Sequence, residues 1–163
     1  MRCILRVAAG EGRSKPLAWV HANIYAAGGE HIPRAWEAFA ETTGITAVVH
    51  VAIEHPCRFQ GPLPARFLWL RTDAEPIDQN LRRLAGEFVR RSLEAGHKVL
   101  LHGREGRHRV RWVYVAYRLC AGARLEQALR EASEKPWLAP YRTDRASWES
   151  FHRQLQHAPP AAS

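Results

Sequence analysis

The chain has 163 residues, 46% hydrophobic and 25% charged, and its 24 basic and 16 acidic side chains leave a formal net charge of +8. Those values fit one soluble domain long enough to bury a core. No stretch is apolar enough to span a membrane, and the first residues are too poor in apolar content for a secretory signal. Cys3, Cys57 and Cys120 are odd in number and scattered, so the reading is free thiols in a reducing, cytoplasmic setting, with no metal-ligand spacing. The basic surplus favours anionic partners, though charge alone selects none.

Residues 1–16 read as an N-terminal segment, 17–156 as the domain, and 157–163 as a disordered tail. Within the domain, Trp19 to Ile24 reads as a strand, and Pro33 to Thr43 as a short helix with Pro in its first turn and Gly44 past its end. Thr46 to Ala52 is almost continuously apolar, the pattern of a central strand covered on both faces. Residues 53–65, with three prolines and one glycine, form a loop, and Phe67 to Leu70 a short strand. Leu81, Leu84, Ala85 and Phe88 mark a helix with arginines on its other face, Pro76 near its start and Gly96 closing it. Lys98 to Leu101 is the next strand, and Val110 to Ala121 a helix apolar nearly all round and hence buried. Helices over Leu125 to Ser133 and Asp144 to Gln156 complete the chain. Alternating strands and helices predict a single α/β domain with a mostly parallel central sheet flanked by helices. Of the tryptophans, Trp19, Trp36, Trp69 and Trp112 read as core, leaving Trp137 and Trp148 as the ones to consider for an interface.

Between the strand at 98–101 and the helix at 110 lies His102-Gly103-Arg104-Glu105-Gly106-Arg107-His108-Arg109. A strand, a turn rich in glycine and arginine, and a helix make the layout of a phosphate-binding loop. Successive N–H groups in a tight turn form an anion nest, and the helix adds its free amino-terminal N–H groups and positive dipole end. Gly103 and Gly106 let the chain curl, and Arg109 in the first helical turn can fork onto two phosphate oxygens. Arg104, Arg107 and His108 add charge suited to a highly anionic ligand, or face solvent at the rim, while Glu105 opposes an anion unless it pairs with an arginine. The bland alternative is a basic, solvent-exposed turn.

The loop resembles the signature of the cysteine-dependent tyrosine and dual-specificity phosphatases, HCxxGxxR followed by Ser or Thr, with His102, Gly106 and Arg109 in register. Residues 98–120 look like the strand, loop and helix of the small, VHR-like dual-specificity type. Gly44-Ile45-Thr46-Ala47-Val48-Val49 is similar to a family strand. Leu70-Arg71-Thr72-Asp73 is similar to the segment ending in the general-acid aspartate, and Asp73 lies 30 positions before Gly103. The resemblance covers roughly residues 17–155 and implies the phosphatase fold.

It also implies four roles, two of them empty. Gly103 stands where the nucleophilic cysteine belongs, and Val110 where a hydroxyl would assist the thiolate as a leaving group. The expectation is therefore a pseudophosphatase without catalytic residues or cofactor, in which Asp73 is a leftover acid or a helix N-cap and His102 orients the loop through backbone hydrogen bonds. Its ligand is a phosphorylated protein or another phosphate-bearing anion (phosphoinositide, inositol phosphate or nucleotide), held by residues 103–109, a loop that free phosphate or sulfate would also occupy; nucleic acid is not expected. Losing the thiolate also removes a repulsion of about 4 kcal/mol per pair of unit charges at ~4 Å and an effective dielectric of ~20. Two alternatives stand beside this reading: an active phosphatase using His102 or His108 as nucleophile, and an interaction scaffold whose loop is a relic.

Overall fold

The computed structural model of the protein describes residues 17–29, 32–33, 35–53, 61–72, 78–104, 108–135, 138 and 145–157; of His108 and Arg109 only the backbone is described. Five strands, β1 (Ala18–His21), β2 (Ile24–Gly28), β3 (Ile45–Val51), β4 (Arg66–Leu70) and β5 (Lys98–Gly103), form one sheet in the order β1-β2-β5-β3-β4. Only the β1–β2 pair is antiparallel; β2, β5, β3 and β4 run parallel. The helices are α1 (Trp36–Thr43), α2 (Gln79–Glu94), α3 (His108–Cys120), α4 (Leu125–Ser133) and α5 (Arg145–His157).

The sheet is covered on both faces, as the apolar run of β3 requires. One face carries Ile45, Val48 and Leu100 against Ile32, Trp36 and Phe39; the other carries Val49, Val51, Val99 and Leu101 in a larger core with α2, α3 and α5. α3 is buried on nearly every side, as its uninterrupted apolar character predicts, and even Arg111 is covered, its guanidinium donating to the Leu138 carbonyl at 3.2 Å. α1 ends where expected, at Gly44 in the left-handed conformation (φ 72°), although it begins at Trp36, later than Pro33.

Several expectations are corrected. The stretch from Trp19 to Ile24 is not one strand but the hairpin β1–β2, reversing at Ala22 (φ 47°) and Asn23. An alanine at positive φ carries none of the usual glycine or asparagine signal of a hairpin turn; the Trp19 indole N–H, donating to the Ala22 carbonyl at 2.8 Å, helps hold it. The helix at 79–94 presents Arg82, Ala85, Gly86 and Val89 to the interior, while Leu84 is 49% exposed. Of the expected apolar stripe Ala85 is buried and Leu81 and Phe88 pack against the core, so Leu84 alone turns outward, while Gly86 admits α3. Arg82, expected on the outer face, buries its stem and stacks its guanidinium 4.0 Å over the Trp148 ring.

The cap of α2 is Asp78, whose side chain accepts from the N–H groups of Asn80 and Leu81; the capping role considered for Asp73 is not that of α2, and Asp73 itself lies outside the described residues. Trp19 is 40% exposed instead of core, lying beneath the Lys135 ammonium, and Trp148 is a core residue rather than an interface one; Trp137 lies outside the described residues.

Candidate functional site

β5 runs two residues further than its apolar pattern indicates and ends on His102 and Gly103, so the strand itself delivers the candidate loop to the carboxyl edge of the parallel sheet. Gly103 is buried, flanked in register by Gly28 of β2 and Val51 of β3. The Gly29 N–H reaches the carbonyls of Gly103 (3.3 Å) and Arg104 (2.9 Å), which ties the start of the loop to the end of β2. Gly29 does so at φ 153°, a conformation that disfavours any side chain. Arg104 is exposed at the rim, and α3 begins at His108, leaving four residues between Gly103 and the helix. Ligands of open α/β sheets lie at this edge, and the amino terminus of a 13-residue helix there favours an anion.

His102 is 2% exposed and points away from α3, toward the face covered by α1. Its Nδ1 lies 3.0 Å from Nδ1 of His50, the residue directly beside it on β3, with ring centroids 5.0 Å apart. In such a contact one ring donates and the other accepts. An imidazole on the neighbouring strand is thus one partner of His102, and it was not among the backbone partners expected for it. His50 was missed because it sits inside an apolar strand and signals its role only once the neighbouring strand is known.

Val110 is fully buried, so position 110 serves packing. Glu105, Gly106 and Arg107, the side chains of His108 and Arg109, and Asp73 lie outside the described residues. Cys120 is at the far end of α3, 12 residues from His108, or roughly 18 Å along the axis at 1.5 Å per residue. Burial, and then the nearby Glu87 carboxylate, push its thiol up to about 12. It lines a hollow of about 470 Å³ with Arg90, Leu93 and Tyr117, far from the loop. Cys3 and Cys57 are outside the described residues, among which no group of His, Cys, Asp and Glu is arranged to hold a metal. No described helix is long and apolar enough to cross a membrane.

No family model and no curated protein matches the sequence. Solved structures do match. A mouse protein described as a putative dual specificity phosphatase, complexed with zinc tungstate, superposes with a TM-score of 0.69 at 20% identity, over 93% of this chain and 95% of its own. A point variant of human DUSP28 gives 0.67 at 21% identity, over 86% of this chain and 96% of its own. PTPMT1 in complex with PI(5)P gives 0.64 at 15% identity, over 82% and 92%. At those identities the likeness establishes architecture, and with β5 leading toward α3 at the carboxyl edge of the sheet the chain is a single-domain protein with the dual-specificity-phosphatase-like fold.

Proposed function

We propose that this protein is a catalytically inactive phosphatase-like domain that binds a phosphorylated protein or another phosphate-bearing anion through residues 103–109 without hydrolysing it. The observation that carries the reading is Gly103: the buried last residue of β5, at the mouth of the loop, has no side chain with which to attack phosphorus. Anion binding needs only the loop's N–H groups, the start of α3 and Arg109, and those residues remain in the sequence. The similar proteins solved with zinc tungstate and with PI(5)P support a phosphate-like ligand. His102 is an unsuitable replacement nucleophile, because it is buried with its Nδ1 against His50. The scattered cysteines favour a reducing, cytoplasmic setting.

Calorimetric titration of the pure protein with phosphate and with tungstate tests the reading. Binding lost on Arg109→Ala is expected; no anion binding, or binding indifferent to that change, refutes it. Aryl phosphate should not turn over. Turnover abolished by His102→Ala or His108→Ala would instead identify an enzyme. Gly103→Cys combined with Val110→Ser restores the two missing groups and should bring turnover back.

A further inference from the structure

The contact between His50 and His102 limits how many protons the two rings can hold while they stay together. Both are buried, at 1% and 2% exposure. Strand register sets His50 of β3 beside His102 of β5, and their Nδ1 atoms stand 3.0 Å apart with the rings tilted by 35°. At that distance one Nδ1 carries a proton and the other offers a lone pair. A first added proton, on Nε2 of the donating ring, leaves the contact intact. A second would have to occupy the accepting Nδ1. Two N–H groups would then be aimed at each other, and two positive charges would lie side by side under a covered face of the sheet. The pair in place therefore holds at most one added proton, whereas two separated histidines take up two as pH falls through about 6.5.

The neighbouring elements offer the second charge little relief. Among the described residues, Ala27 of β2 lies beside His102 and Trp69 of β4 beside His50, and Trp69 already commits its indole N–H to the Ala52 carbonyl. α1 covers this face with Trp36 and Phe39, while its carboxylates, Glu37 and Glu41, are exposed. Tyr25 of β2 packs into the same layer, and Lys98 donates to the Thr43 carbonyl at the far end of β5. Arg71 and Arg104 follow the near ends of β4 and β5. None of these residues sets a carboxylate against either ring. His102 also directly precedes Gly103, whose carbonyl, like that of Arg104, accepts from the Gly29 N–H. The histidine contact and the Gly29 bond thus hold one short stretch of chain, residues 102–104.

We infer that His50 and His102 form a one-proton catch, which fastens the carboxyl end of β5 to β3 at neutral pH and releases it in acid when a second proton enters. The proton comes from water and ends on the accepting Nδ1, and only hydrogen bonds break. Such a catch works whatever the loop beyond Gly103 binds. Opening takes up at least one proton, so below about pH 6.5 its equilibrium constant should rise at least tenfold per pH unit.

Nuclear magnetic resonance of the full chain, with 15N-labelled histidine, tests this between pH 8 and 4.5. At pH 8 one of the two Nδ1 atoms should carry a proton and the other none. On acidification the pair should gain no more than one proton while the Gly29 amide stays protected from exchange. Opening at Gly29, read from exchange corrected for its intrinsic pH dependence, should rise at least tenfold per pH unit, while Val49 in the middle of β3 changes less. His50→Gln leaves a single titrating ring, and its amide can accept from His102 in either charge state, so the acid step at Gly29 should disappear. Protons on both Nδ1 atoms or on neither at pH 8 overturn the inference. So does a second proton taken up with Gly29 still protected, opening of Gly29 and Val49 in step, or an acid step that survives His50→Gln. The ring and exchange measurements on the wild type decide the matter even where His50→Gln fails to fold.

Discussion

Gly86 in the middle of α2 is a position where two physical effects oppose each other and the structure decides the winner. Replacing an interior helical glycine by alanine ordinarily stabilises a helix by about 1 kcal/mol, because alanine has less backbone freedom to lose. Here a Cβ at position 86 would meet the Cys120 sulfur at 2.6 Å, the Ala116 carbonyl oxygen at 2.7 Å and the Ala116 carbonyl carbon at 2.8 Å. Ordinary contacts begin near 3.5 Å, so α2 and α3 would have to move apart by several tenths of an ångström. The cysteine can rotate; the Ala116 backbone cannot move without carrying α3 with it.

Overpacking of this kind costs roughly 1–3 kcal/mol and occasionally more, and with two of three clashes on backbone the upper part of that range applies. The net expectation for Gly86→Ala is a loss of about 1–2 kcal/mol, or roughly 2–8 °C in Tm for a domain of this size. Urea unfolding followed by tryptophan fluorescence measures it. Adding Cys120→Ala should recover only a minor part, since the Ala116 contacts persist. A Gly86→Ala protein as stable as the wild type, or full rescue by the second change, would show that the helices are not packed as closely as described.

Glu131 joins α4 to α3: it accepts from Gln127 (2.9 Å), Arg118 (3.1 Å) and the Tyr114 hydroxyl (3.3 Å), and its side chain is only 22% exposed. Burial alone would raise its pKa, but the bonds from Gln127, Arg118 and Tyr114 and the Arg118 charge hold it below the usual 4.5. Its stabilising contribution is therefore present above pH 4.5 and disappears as pH falls through the lower, folded value. Glu131→Gln should cost about 2 kcal/mol at pH 7, the scale of hydrogen bonds to a charged group, and flatten the acid limb of the stability profile; an unaltered acid limb in urea midpoints measured from pH 7 downward would contradict this. Cys120, its thiol pushed up to about 12 by burial and Glu87, should react with iodoacetamide at pH 8 far more slowly in the native protein than in urea, as read by peptide mass spectrometry. Equal rates in the two states would place Cys120 in solvent.

Local pattern was enough for whatever depends on neighbours in the chain. The continuous apolar run at 46–52 announced a covered central strand, the all-round apolar helix at 110–121 a buried one, and Gly44 a helix end, because each is set by side-chain period or by φ at one residue. The proposed loop is a local pattern of the same kind, since its glycines and arginines, Gly103 and Val110 are all read in one stretch of chain. Tertiary structure alone decided what depends on residues distant in sequence. On α2 the approach of α3 at Gly86 and of Trp148 under Arg82 brought two residues inward that the apolar stripe did not mark, and left Leu84 outside, because packing outweighs a weak local preference. The hairpin at Ala22-Asn23 came from strand pairing and an indole bond, with one asparagine and an alanine at positive φ as its only local mark. His50 met His102 only when β3 was laid beside β5. A pattern confined to one stretch of chain can be read from the sequence, whereas which residues stand beside it is decided by the pairing of the strands.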